Sequence, residues 1–285
     1  MRKSYVCVYT PERFVPGFSC VGTFLFATEN ACLRDKLRQG GEKMNNGLLQ
    51  SIKDNVVFVV VCIVVALALF LIAYLSEKYV YRRDGIKERI LSTRKIAMIG
   101  LFSALSVILH VLDFPVPFAP PFYQLDFSEI PALIGAFAFG PVAGVMIEFC
   151  KILLKLLVKG TSTAFVGDLA NFVIGCSLVL PAALIYRFRK TKKRAIAGCA
   201  AGTVIMTIFG TAFNAVYLLP AFSKLYGMPL DAIIAMGTEI NSGVTGLVSF
   251  VCLCVAPMNI VKGLVASVVT MLIYKPLSPI LKSTH

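Results

Sequence analysis

Residues 56–75, VVFVVVCIVVALALFLIAYL, form a run of 20 residues without a charge. At about 1.5 Å per residue, a helix of that length matches the roughly 30 Å hydrocarbon thickness of a bilayer. Its many β-branched side chains would lower helicity in water. Lipid, however, offers no partner to an unpaired backbone group, so a spanning segment must be helical. The run lies too far from Met1 to be an ordinary cleaved signal peptide. The rest of the 285-residue chain continues in the same manner, with 58% apolar residues, 15% charged residues and a mean hydropathy of +0.81. That excludes a disordered chain and is more apolar surface than a soluble domain of this size hides.

Further apolar segments lie at 96–112, 130–147, 152–158, 164–186, 195–219 and 240–274. The stretch 130–158 is too long for one helix, and Gly140-Pro141 interrupts its hydrogen-bond ladder, which predicts two short helices. Pro257 is expected to separate an approach helix from the last span, which would begin near Met258. The net charge of +13 is clumped, with seven bases between Lys78 and Lys95 and six between Arg187 and Arg194. Such clumps beside spans mark cytoplasmic loops before they mark nucleic-acid sites. Placing both clumps with Lys275 and Lys282 on one side requires an even number of crossings between 95 and 187, which four helices satisfy, and two between 194 and 275. Six core spans satisfy this. The span at 56–75 then puts the N-terminus outside, although residues 1–54 carry eight bases against five acids.

The expected fold class is an all-α integral membrane protein, a six-helix core plus one extra N-terminal transmembrane helix. The domains read as a poorly structured extension at 1–54, the additional helix at 55–76, a basic cytoplasmic linker at 77–95 and the membrane domain at 96–285. The first 43 residues show neither helical period nor alternation, and read either as a tail or as sequence upstream of a start at Met44.

Enzyme signatures are missing: the chain has no GxxxxGK[ST], HExxH, CxxC or suitably placed GxSxG, and only two histidines, His110 and His285. No metal site is expected. The nine cysteines lack ligand spacing, their odd number argues against a disulfide framework, and they read as buried thiols. Neither a TVGYG-type filter nor two-halved symmetry is present.

Charged groups at membrane depth are costly and mark sites by default. Glu148, Lys151 and Lys155 share one helical stripe, where Glu148 and Lys151 either neutralise one another or contact a solute or gate. Asp168, in GDLANF, sits near a helix start that favours a carboxylate. The stretch 113–129, DFPVPFAPPFYQLDFSE, holds four Pro and four Phe, and lies outside by the topology. Its stiff aromatic loop suits covering a planar ligand or anchoring at the interface. Asp126 either accepts hydrogen bonds from a solute or caps the helix near Ser128. Asn214 lies on the outer half of 195–219, while Asn259 and Lys262 share a face near the external start of the last helix. Together they offer donors and an acceptor suited to the carbonyl and imide edge of a neutral heterocycle. Interhelical bonding, capping and snorkelling are the structural alternatives. Ala97, Gly100 and Ala104 form a small-residue strip for close helix contact, within the chain or with another membrane protein.

The loop leading to LDFSEIPALIGAFAFGPVAGVMIE, then GDLANF with IYRFRKTKKRA, FNAVYLLP, and APMNIVKG followed by IYKPLSPIL carry a resemblance in order. Over about residues 92–284 the chain resembles the substrate-binding (S) component of an energy-coupling factor (ECF) vitamin transporter, specifically the riboflavin-specific type. That resemblance implies six core helices, both core ends cytoplasmic, in a multi-pass protein of the bacterial plasma membrane. It implies riboflavin as transported substrate rather than cofactor, bound by Leu125 and Asp126 of the roofing loop with Asn214, Asn259 and Lys262. Phe122, Glu148 and Lys151 are candidates for the pocket or its gate. The implied partners are a transmembrane coupling (T) protein and two ABC-type ATPases, whose hydrolysis tilts the S component, with Ala97, Gly100 and Ala104 as the docking strip. Gln124 stands where the family often has Lys, and Met258 where it often has Phe. No extra cations for a phosphate are identifiable, which favours the unphosphorylated vitamin. A different vitamin or an unrelated solute transporter is the alternative, and residues 1–94 fall outside the resemblance.

Overall fold

In the computed structural model, which describes residues 56–86, 89–160 and 165–282, the uncharged run opens a longer helix, α1 (Val56–Arg83). It passes the expected end of the span because Ala73, Glu77, Val80 and Tyr81 continue one buried stripe at helical spacing. Residues 77–83, expected in a linker, are therefore helical. The extension at 1–54 and the Met44 start lie outside the described residues.

Ser92 opens α2 (Thr93–Val111), its hydroxyl accepting a hydrogen bond from Lys95 N at 3.4 Å. A short hairpin follows, β1 (Phe114–Pro115) against β2 (Gln124–Leu125), antiparallel with Phe114 opposite Leu125. An all-helical reading omitted it, because the prolines that stiffen this loop also obscure so short a ladder. The stretch 130–158 divides as expected into α3 (Glu129–Phe139) and α4 (Pro141–Val158), around Gly140 at φ 108°. Then come α5 (Val166–Phe188) and α6 (Lys192–Phe213).

The expected separation at Pro257 does not occur. A π turn at Asn214–Leu218 leads from α6 into α7 (Leu219–Tyr226), and after α8 (Leu230–Ile240) and α9 (Leu247–Phe250) a second π turn at Val251–Val255 leads into α10 (Ala256–Lys282). A proline ring normally clashes with the carbonyl four residues back. For Pro220 and Pro257 that residue is Val216 and Leu253, each inside a π turn. The widened turn takes up the mismatch and the rod continues. The short helices α7 and α8, in a stretch with mixed polarity, were not anticipated.

By length and apolar composition, five helical stretches among the described residues are able to cross a membrane: Ile63–Arg83, Thr93–Val111, Val166–Phe188, Lys192–Leu225 and Leu247–Tyr274. Helix α3 is short and almost wholly buried, and α4 carries Glu148, Lys151 and Lys155. One apolar cluster joins α3 to α4, α5, α6 and α10 through Leu133, Phe137, Ile147, Leu178, Met206 and Ala266. Close approach of α5 and α6 depends on Gly198 and Gly202, where a Cβ would meet the carbonyl oxygens of Ala182 and Leu178 at 2.7 and 2.5 Å. Cys176, Cys199 and Cys254 are buried free thiols as expected, whereas Cys252 is exposed on the second π turn. Ala97, Gly100 and Ala104 are exposed along α2.

Helix α1 is fastened to this core. Phe70 packs against Phe149 and Phe172 with ring centroids 5.7 and 6.1 Å away. The buried Glu77 carboxylate accepts from Val142 N at 3.1 Å and from Lys95 Nζ at 3.1 Å, so it caps α4 and ties α1 to α2. Glu77→Ala strands the Val142 N–H and takes the counter-charge from Lys95 Nζ, which keeps only Tyr81 Oη and Ile90 O, and is expected to cost about 2 kcal/mol. The check is the thermal midpoint of the detergent-purified protein, and an unchanged midpoint would refute the clasp.

Candidate functional site

The hairpin loop, the ends of α4 and α5, the first π turn and the start of α10 enclose a cavity of about 290 Å³. This is near the lower end of the size range for small-molecule sites. Asn214 and Leu218 of the first π turn share this wall with Met258, Asn259 and Lys262 of α10. Asn214 opens the first π turn; its Nδ2 donates to Gly210 O at 2.7 Å and its Oδ1 accepts from Tyr123 Oη at 2.8 Å. Burial pushes the Tyr123 phenol up, which keeps it a donor. Asn259 is 2% exposed, and its Nδ2 has no hydrogen-bond partner among the described residues. Gly210 makes room for this amide, since a Cβ there would lie 2.8 Å from Asn259 Nδ2.

One turn further along α10, Lys262 Nζ lies 3.0 Å from Asp126 Oδ2 and 2.9 Å from Glu129 Oε1. Asp126 Oδ1 accepts from Ser128 N at 2.9 Å and from the Ser128 hydroxyl, and His110 Nδ1 is 3.2 Å from Asp126 Oδ2. Burial opposes ionisation of Asp126, but neighbouring Lys262 and His110 hold its carboxyl well below the usual range. The apolar part of the wall comes from Phe122, Ile174, Leu218, Phe222 and Met258. Phe122 packs on Tyr123 at 4.7 Å and edge-on to Phe222 at 5.8 Å. Two further ion pairs, Lys155 with Asp168 and Lys159 with Asp113, complete the wall. The cavity thus offers flat apolar surfaces, an unpartnered amide and a cation, the means to hold a planar ligand with one polar edge.

Of the residues singled out in the sequence, Phe122, Asp126, Asn214, Asn259 and Lys262 meet in this wall. Leu125 does not line it. Strand alternation leaves Gln124 on the cavity, while Leu125 joins the apolar cluster with Val116, Ala119 and Phe250. Glu148 and Lys151 lie outside the lining too, paired with each other at 2.5 Å in the interior. Asp168 lies in the first turn of α5, where it was read as a helix-start group, and also reaches across to Lys155. His110, Tyr123, Asn171 and Lys159 were not singled out. A lone histidine at the end of an apolar helix was the available signal for His110. Lys155 and Lys159 supply wall cations that sequence spacing did not place.

The pattern described as ECF transporter, substrate-specific component, matches residues 94–274. The chain is 35% identical over 189 residues to the riboflavin transporter RibU of Staphylococcus aureus (strain TCH60), a match covering 66% of this chain and 93% of that one. It is 30% identical to the riboflavin transporter FmnP of Bacillus subtilis (strain 168), over 66% of this chain and 94% of the relative. A solved structure of the S component of a bacterial ECF transporter superposes with a TM-score of 0.52 at 35% identity, covering 66% of this chain and 98% of that one. The family match begins at residue 94, so α1 lies outside it. In its apolar spans, its fold and its sequence, the chain is a multi-pass bacterial membrane protein that belongs to the ECF transporter substrate-specific component family.

Proposed function

We propose that this chain is the riboflavin-binding S component of an ATP-driven ECF importer, a binding subunit and not an enzyme. The observation that carries this reading is the buried Asn259 Nδ2 in the cavity wall, without a partner among the described residues and one helical turn from Lys262. A buried donor without a partner costs free energy, which a ligand acceptor returns on binding. The flavin ring system is flat, apolar at one end and edged by carbonyl and imide groups at the other. Phe122, Phe222, Leu218 and Met258 suit its faces, and Asn214, Asn259 and Lys262 suit its edge. Asp126 fixes the roofing loop over it, with Leu125 packed behind. The names of the relatives agree with this substrate.

The same reading places six core spans and α1 in the membrane with the C-terminus cytoplasmic. A coupling T protein would dock on Ala97, Gly100 and Ala104, and two ABC-type ATPases would drive the tilt that releases the vitamin inside. The test is a fluorescence-quench titration of the detergent-purified protein with riboflavin, repeated on Asn259→Ala. Saturable quenching, weakened about tenfold in the variant by loss of roughly 1.5 kcal/mol of hydrogen bonding, is expected. No quenching by the folded parent protein would reject the reading.

The wall also argues for the uncharged vitamin. Its three lysines, Lys155, Lys159 and Lys262, are each paired with a carboxylate. A phosphate ester would have to displace Asp168 from Lys155, leaving a buried carboxylate behind, or compete with Asp113 for the exposed Lys159. Riboflavin 5′-phosphate is therefore expected to compete at least about tenfold more weakly than riboflavin. Equal competition would overturn this preference.

A further inference from the structure

Behind the cavity wall runs a row of alternating buried charges. Lys262 Nζ contacts Asp126 on one side and Glu129 Oε1 on the other, at 3.0 and 2.9 Å. Glu129 Oε1 is 3.4 Å from Lys151 Nζ, which also donates to Ser128 Oγ at 3.0 Å and pairs with Glu148. Glu129, Lys151 and Glu148 are fully buried, and none of the three lines the cavity. Glu148 fits there because Gly175 has no side chain: a Cβ at that position would lie 2.6 Å from Glu148 Oε2.

We propose that Glu129 is a positioning residue for Lys262, with Lys151 as its second cation and Glu148 as the counter-charge of Lys151. This rests on the cavity being the flavin site. An ammonium has three tetrahedrally arranged donors. Asp126 and Glu129 take two of them, and so fix the direction of the third, the one left for a ligand acceptor. Asp126 alone would leave the ammonium free to rotate about a single contact. Glu129 opens α3 directly after the roofing loop, so the contact also holds the end of that loop to α10. Unbalanced, Glu129 would be a lone carboxylate in the interior; Lys151 supplies the second cation, and Glu148 neutralises Lys151 in turn.

The test is a double-mutant cycle on the full chain, Glu129→Gln and Lys262→Met singly and together, read by riboflavin quenching and by thermal midpoint. Glu129→Gln alone is expected to weaken binding tenfold or more, and in the Lys262→Met background to change it less than about twofold. Where the Lys262→Met background is too weak to saturate, the midpoint decides. Glu129→Gln should lower it in the parent and raise it once Lys262 is gone, because the carboxylate then lacks its main cation. An equal loss of affinity in both backgrounds, or a midpoint falling equally in both, assigns Glu129 a purely structural role and overturns the proposal. Lys151→Met, carried through the same cycle, serves if Glu129→Gln does not fold. A parent protein that binds no riboflavin fails the functional reading itself; one that binds riboflavin but gives an additive cycle fails only this inference.

Discussion

Lys262→Met is expected to weaken riboflavin binding by at least a hundredfold in quench titration. The substitution keeps the apolar stem and removes the cation that touches both Asp126 and Glu129 across the wall at 3.0 and 2.9 Å. Breaking a buried ion pair from one side costs about 3–5 kcal/mol, chiefly from the charges left behind. Here two carboxylates lose a cation in the same place that a ligand must bind. Part of the cost falls on the fold, so the thermal midpoint should drop as well, and saturable quenching with an unchanged Kd would remove Lys262 from the site. The neighbouring aspartate sets a pH limit on the same contact. Its folded-state pKa is depressed, so its contribution is present above the unfolded value near ~4 and is lost as pH falls through the folded value. Titration of Asp126 should therefore leave binding level between about pH 5 and 8.

How much of this was legible before the structure varies with the physical range of the signal. The run at 56–75 reads directly as a span because lipid forces local hydrogen bonding to be complete within the segment. The break at Gly140-Pro141 is equally local: a missing N–H and a glycine at positive φ lie next to one another. Pro257 carries the same local signal and gave the wrong expectation, because the π turn before it absorbs the clash. A π turn depends on how the helix packs against its neighbours and leaves little trace in composition. Among site residues, the i, i+3 spacing of Asn259 and Lys262 put both on one face in advance. Their meeting with Asp126, 136 positions away from Lys262, could not be read from spacing. Nor could the pairing of Lys155 with Asp168, whose sequence neighbours suggested a helix cap. Leu125 shows the reverse limit: the loop was placed correctly at the cavity, but a two-residue strand alternates its side chains and turns this one into the apolar cluster.

Gly100→Phe should abolish riboflavin uptake by cells while leaving riboflavin binding by the purified protein unchanged. Gly100 is exposed on α2 in line with Ala97 and Ala104, and a Cβ built on it meets nothing within 4 Å. The fold therefore tolerates a side chain there, and the cavity, which contains no residue of this strip, is not disturbed. Helices in lipid associate through close packing of small residues, without a hydrophobic force to hold a poorly fitting pair. A phenyl ring in the middle of the strip would keep a partner helix at a distance where most dispersion contact is lost. If Ala97, Gly100 and Ala104 receive the coupling protein, a loaded S component would then be stranded without its ATPases. Uptake at the parental rate by Gly100→Phe would mean that the partner approaches a different face of the domain. One such face is already taken, since helix α1 covers Val145 and Ile152 of α4 and Phe172 and Val173 of α5.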